Sequence, residues 1–491
     1  MTTTQEHVAA TGRAAARPPR GLGVFALPQG LLLLGEDEAA LEVRAGLAGG
    51  HLPAVWPRSL APVAAAHAGD AASALAAWAH AEGDPLVTYN RWLLDPATAD
   101  VADVRAALPE GLRPLVDVVA WSLDLPGADV PAEPTPAQVT AEPEVGALVL
   151  AARASAALEQ QAPDVAAALL GYAAQAAQAA GPALAAMLRG NTASLLRTTG
   201  ADTATVATVL QRAADGLAGT DLGETRAGLL HELGLLLHEE AAAATDPTTQ
   251  GDLVRRAMAH YYDALGLVSE ETAPLVWAAV QLDLAAAHLA IPMTRASDQL
   301  RLGVAAQSLR ACRRVFTPQA HPGPWSTATL NLANALVYTP STHRAENLVE
   351  AIGLYQEVVE SGTRDSDAVG RARLLTNLGN ALAHAGVLDE ARSVLAEARY
   401  LFETELDHDG ALTVRGLQDE IHRLAVTDPD AGLDDLARQA EAMSRMGVPD
   451  ASTSGMGVSI NLPAGDSVPP PRRVTRVDAS ERPTDGPGAG R

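Results

Sequence analysis

The paired residues His231-Glu232 and His238-Glu239 are of types that can bind zinc and activate a water molecule. A helical zinc-hydrolase motif needs its second histidine four residues after the first, so that both imidazoles reach one ion. Leu235 stands at that place, and the spacing present sets His231 and His238 about 10 Å apart along a helix axis, too far for one metal. The pair is read instead as lining a groove or pairing with local carboxylates. Cys312 is the single cysteine, flanked by Ala311 and Arg313 at a small-residue position of a helix, which predicts buried packing rather than a nucleophile. The segment Gly21-Leu-Gly23-Val-Phe-Ala26 loosely fits a dinucleotide fingerprint but follows Pro18-Pro19-Arg20 rather than a strand. Lysine is absent, so all 35 basic residues are arginine. Walker phosphate loops and Schiff-base chemistry both need a lysine and are excluded. No catalytic residue, metal or cofactor is expected.

A different constellation occurs twice, as Asn331-Leu-Ala-Asn334-Ala-Leu and Asn377-Leu-Gly-Asn380-Ala-Leu. A carboxamide donates and accepts, so it can pair with the N–H and C=O of an extended peptide without reading its side chains, or with neighbouring helices and water. Arg371 and Arg373 precede the second copy. Their guanidinium forks match a peptide carboxylate; they also match Asp365, Asp367 or Glu390 on an exposed face.

The elements that position these residues are helices. Apolar residues make up 48 % of the 491-residue chain and aromatics 3 %, with alanine and leucine dominant, a composition for closely packed helices. Helices are predicted over 36–47, 60–81 with a turn at Gly69-Asp70, 85–94, 98–108 and 112–123. Downstream, Leu230, Leu233-Gly234, Leu237, Ala257 and Tyr261 are followed by Leu284-Ala285, His288, Ala305 and Leu309. Leu332-Ala333, Leu336, Ala351 and Tyr355 come next, and then Leu375, Leu378-Gly379, Leu382, Ala391 and Leu395. This order resembles the tetratricopeptide repeat, with longer hairpins than usual. Weaker copies fall near 149–174 and 187–214.

The resemblance implies an all-α, TPR-like α-solenoid, a right-handed superhelix of helical hairpins. It also implies a concave groove lined by the first helix of each hairpin, where Asn331, Asn334, Asn377 and Asn380, with Arg371 and Arg373, would meet a peptide. The expected organisation is a disordered segment at 1–20, an N-terminal TPR-like helical region at 21–125, and a Pro-rich linker at 126–144. A repeat array at 145–447 and a disordered tail at 448–491 complete it.

Net charge is −24, which repels phosphate backbones and favours basic partners, so nucleic acid is not expected. No apolar run is long enough to span a membrane, and the N-terminus lacks a signal-peptide core. With one cysteine, a reducing cytoplasm fits. The resulting expectation is a cytoplasmic, non-enzymatic scaffold for a protein or peptide partner, an assembly factor or adaptor for a larger complex, with the chain itself in a homo-oligomer or a multiprotein complex. Two alternatives stand beside it: a regulatory sensor whose C-terminal tail occupies the groove, and an enzyme with an unrecognised site.

Overall fold

A computed structural model of the chain describes residues 32–81, 83–291, 300–339 and 343–427. The expectations for 1–20, for the glycines near 21–26 and for the 448–491 tail lie outside these residues. The described residues are all-α, with twenty helices and no strand. Six short helices come first: α1 (Glu38–Ala48), α2 (Ala61–His67), α3 (Ala71–Trp78), α4 (Pro85–Leu94), α5 (Val101–Ala107) and α6 (Arg113–Ser122). After α7 (Pro136–Ala141) the chain runs as successive hairpins. These pair α8 (Pro143–Glu159) with α9 (Pro163–Ala177), α10 (Pro182–Thr198) with α11 (Thr203–Gly216), and α12 (Gly223–Ala243) with α13 (Pro247–Leu265). They continue with α14 (Pro274–Ala290) and α15 (Leu300–Val315), α16 (Pro322–Tyr338) and α17 (Arg344–Glu360), and α18 (Ala368–His384) and α19 (Leu388–Thr404). The final described helix is α20 (His408–Thr427). The blurred copies near 149–174 and 187–214 are thus hairpins of the same kind.

Local chemistry explains the boundaries. Proline opens α4, α7, α8, α9, α10, α13, α14 and α16 at a position whose N–H would lack an intrahelical partner anyway. Aspartate side chains cap α4 (Asp84), α11 (Asp202), α13 (Asp246) and α18 (Asp367) by accepting from first-turn backbone N–H groups. Within hairpins, small residues let the helices close. A Cβ on Gly379 would fall 2.6 Å from Leu395 Cγ, and one on Gly234 would fall within the Tyr261 ring edge. Ala391 is fully buried on the facing side of its hairpin. Ala391→Leu is expected to overpack this contact and lower stability by about 1–3 kcal/mol. An unchanged denaturant midpoint would mean that the α18–α19 interface yields around the larger side chain.

The 126–144 segment is packed against its surroundings rather than extended between two bodies. Pro131 is buried, and its carbonyl accepts from Arg153 Nη1 at 3.0 Å. Thr135 and Gln138 form a capping box for α7, and Gly146 leaves room for Val139, which would otherwise lie 2.9 Å from a Cβ. The prolines read as spacer residues include Pro136 and Pro143, which start helices. α6 and α7 both pack on α8, and one apolar cluster extends from Leu32 through this region to Ala287. Limited proteolysis is therefore expected to spare 126–144 while the fold persists. Early cleavage there would restore the free-linker reading.

At the N-terminal edge an extended stretch, Leu32 to Leu34, is buried to within 2 %. Asn90, itself 2 % exposed, holds it by both ends of its amide: Leu33 N–H donates to Oδ1 at 2.6 Å and Nδ2 donates to the Leu33 carbonyl at 2.8 Å. Arg44 donates to the next carbonyl, that of Leu34. At the other end, a second cluster runs from Ala278 to Ile421. The two cores meet on α14, which sends Val280, Leu284 and Ala287 into one and Ala278, Leu282 and Ala285 into the other.

First helices α12, α14, α16, α18 and α20 also pack on one another in sequence, more closely than successive second helices do. The stack therefore curves with first helices on its inner side.

Candidate functional site

Because side chains three and four residues apart share a helix face, each first helix presents a stripe in one register relative to its motif leucine. On α16 the stripe is Thr327, Asn331, Asn334 and Tyr338; on α18 it is Arg373, Asn377, Asn380 and His384. The residue before the motif leucine is Asn331 and Asn377 in these helices, Asp283 in α14 and Glu232 in α12. From sequence, Glu232 stands out only as part of the His231-Glu232 pair and Asp283 does not, although counting back from Leu233 and Leu284 finds both at this register.

The structure connects these stripes from one first helix to the next. Ser194 Oγ of α10 donates to Glu232 Oε2 of α12 at 2.8 Å, and Arg197 reaches Glu239. His231 Nε2 and Asp283 Oδ2 lie 2.6 Å apart between α12 and α14. Asn377 Nδ2 donates to Asn334 Oδ1 at 3.2 Å and Asn380 Nδ2 to the Tyr338 hydroxyl at 3.4 Å, both between α16 and α18. Asn334 Oδ1 also accepts from the Tyr355 hydroxyl of α17.

The six anticipated groove residues accordingly divide. Asn331 and Asn334 are 5 % and 8 % exposed, so they lie beneath the surface, with Asn334 a hydrogen-bond hub between helices. Asn331 Nδ2 is buried without a hydrogen-bond partner. Asn377 and Asn380 are half-buried, and Asn380 lies beside Tyr338, which is 44 % exposed. Arg371 is committed to Glu397 at 3.0 Å and Asp365 at 3.1 Å, the ion-pairing alternative with Glu397 in place of Glu390. Arg373 is exposed and forms no ion pair among the described residues. The accessible part of the face is therefore Arg373, Asn380 and Tyr338.

Burial dominates the electrostatics. Desolvation raises the Glu232 carboxyl, opposed by the Ser194 hydroxyl and by Arg197 and His231. It raises the Tyr355 hydroxyl well above the usual phenol range, and it raises Tyr338 at its hydroxyl end although that ring is partly exposed. Burial also pushes the Cys312 thiol up to about 12, which keeps it protonated; its Sγ–H points to the Leu309 carbonyl. Among the described residues no group of three His, Cys, Asp or Glu side chains could hold a metal ion. No described helix is long and apolar enough to cross a membrane.

Histidines set the pH response. His67, His238, His260, His288 and His384 are each held below 6.5 by desolvation. Between the folded values and 6.5 the unfolded chain binds more protons, so their contribution is complete above 6.5 and is lost as pH falls through the folded values. The melting temperature is expected to drop from about pH 7.5 to about pH 5.5. A flat profile would show that these imidazoles titrate alike in both states. Glu232, with its pKa raised, acts in the opposite sense and moderates the slope.

No family model and no curated protein matches the sequence. Among solved structures, the human IFIT1 dimer with PPP-AAAA is similar at 14 % identity and a TM-score of 0.36, covering 75 % of this chain and 82 % of that one. The human IFIT1 dimer with m7Gppp-AAAA is similar at 14 % identity and a TM-score of 0.29, covering 70 % and 80 %. The chain is a TPR-like helical repeat protein. Similarity at this level identifies no ligand for it, but it corrects one expectation. Those structures hold PPP-AAAA and m7Gppp-AAAA, and the exclusion of nucleic acid is withdrawn. Net charge sums over a whole surface and does not fix the sign of the potential at one place on it.

Proposed function

We propose that this chain is a non-catalytic scaffold that holds a protein or peptide segment against the inner side of its repeat stack, as an assembly factor or adaptor for a larger complex. The observation that carries this reading is the common register of Arg373, Asn380 and Tyr338 on adjacent first helices, where an uncommitted guanidinium, an amide and a half-exposed phenol share one face. Asn380 spends one amide hydrogen on Tyr338, so its carbonyl oxygen and second hydrogen suit a peptide backbone. The buried Asn331 and Asn334 serve the shape of that face, and Asn334→Ala acts on stability first.

The test is a photo-crosslinking amino acid placed at Tyr338 in the native host, compared with the same group at Tyr400, which is 68 % exposed on the second helix α19. Selective capture of one protein from Tyr338, with binding weakened about tenfold by Asn380→Ala at an unchanged melting temperature, supports the reading. Equal capture from both positions, or capture of RNA from Tyr338, overturns it.

A further inference from the structure

The geometry points to a phosphate-binding site in the cavity between α9, α10 and α11, with a phosphate monoester as the chemical class of ligand. The cavity measures about 260 Å³ and is lined by Gln175 and Gln178 from the α9 side, Arg189 and Thr192 of α10, and Val209 and Arg212 of α11. That is below the ~300–1,000 Å³ of pockets for drug-sized molecules, and it suits one small head group. It lies on the N-terminal hairpins, away from the α16–α18 face, and does not depend on the reading given for that face.

Three features single it out. The chain carries 59 acidic residues against 35 arginines, yet no carboxylate lines this cavity. Elsewhere arginines between hairpins meet glutamates, as Arg310 meets Glu350 and Arg313 meets Glu357. Here Arg189 is held by the neutral Gln178 carboxamide, and Arg212, exposed, forms no hydrogen bond or ion pair among the described residues. The two guanidinia are close enough that, after desolvation, repulsion from Arg212 is what lowers the Arg189 pKa. Like charges facing one space without a counter-charge leave a positive potential that an anion relieves.

The α9 side of the cavity is also open. Gly171 lines it from mid-helix in α9, and a Cβ built there meets nothing within 4 Å. Glycine in a helix interior costs about 0.5–1 kcal/mol relative to alanine, so the absent side chain is a local sacrifice of stability that keeps the space clear. Two guanidinium forks offer paired N–H donors to tetrahedral oxygens, and carboxamides add neutral donors. A monoester carries roughly −1.5 to −2 at neutral pH, matching two arginines, whereas a diester or a single carboxylate carries half that.

The test uses the full chain and titrates inorganic phosphate by calorimetry at matched ionic strength, with methyl phosphate, dimethyl phosphate and acetate as comparison ligands. One site is expected for inorganic phosphate and for methyl phosphate, and at least tenfold weaker binding for the diester and for acetate. Arg212→Gln should weaken phosphate binding at least tenfold. Gly171→Phe, which fills the cavity while keeping both arginines, should abolish it. Without phosphate, Arg212→Gln should melt as the wild type does, since Arg212 is exposed, and Gly171→Phe should melt no lower than the wild type, since a helix-interior glycine is replaced where there is open space. Equal binding of acetate or dimethyl phosphate, or phosphate binding unchanged in both variants, overturns the assignment.

Discussion

Asn90→Ala is expected to destabilise the protein by about 2–5 kcal/mol, because two buried backbone groups lose their partner at once. Asn90 satisfies both the N–H and the C=O of Leu33, at 2.6 Å and 2.8 Å, in a place where Leu32, Leu33 and Leu34 are buried to within 2 %. Each orphaned group carries a desolvation penalty of about 1–3 kcal/mol. Asn90→Asp keeps the acceptor but turns an oxygen toward the Leu33 carbonyl and buries a charge, so it should be at least as damaging. The check is a urea midpoint with the slope held constant. A shift below about 0.5 kcal/mol for the alanine variant would show that the extended stretch is not held by Asn90 in solution.

Gly234→Val is expected to cost about 3 kcal/mol, at the upper end of overpacking effects. A Cβ at Gly234 falls 2.6 Å from Tyr261 Cδ1, and the ring cannot move aside because Tyr261 is fully buried. The same substitution in a Tyr261→Ala background should cost much less, which a double-mutant cycle reads as coupling of the two sites. Gly353 supplies the control. It sits in α17 with nothing within 4 Å of a built Cβ, so Gly353→Ala should stabilise by about 0.5–1 kcal/mol. Additive costs for Gly234 and Tyr261 would place the two side chains apart.

These results bear on what the sequence could disclose. Helix positions were legible because their causes are local: Asp84 caps α4, Pro85 opens it, and Gly69, at φ +86°, turns the chain between α2 and α3. Leu378-Gly379 marked a hairpin because a small residue must face Leu395. The 126–144 segment misled because proline counts as a spacer by composition and as a helix initiator by position, and only packing on α8 decides which. Asn331 and Asn334 were found as a repeated word, but their burial depends on how far α16 is overlapped by α14 and α18. That overlap is a sum of small side-chain volumes over three helices. Arg189 and Arg212 come to line one cavity through the packing of α10 on α11, and no local pattern announces that they share it with Gly171.

The double allegiance of α14 has a consequence for communication along the chain. Two apolar cores that share a single helix are coupled in series, so an event in one reaches the other chiefly as a small roll or slide of that helix. His231 and Asp283, facing each other at 2.6 Å across the α12–α14 contact, sit at this relay. A binding event near the N-terminal hairpins and one near α18 would sense each other to the extent that they prefer different settings of α14, and would otherwise proceed as if on separate molecules.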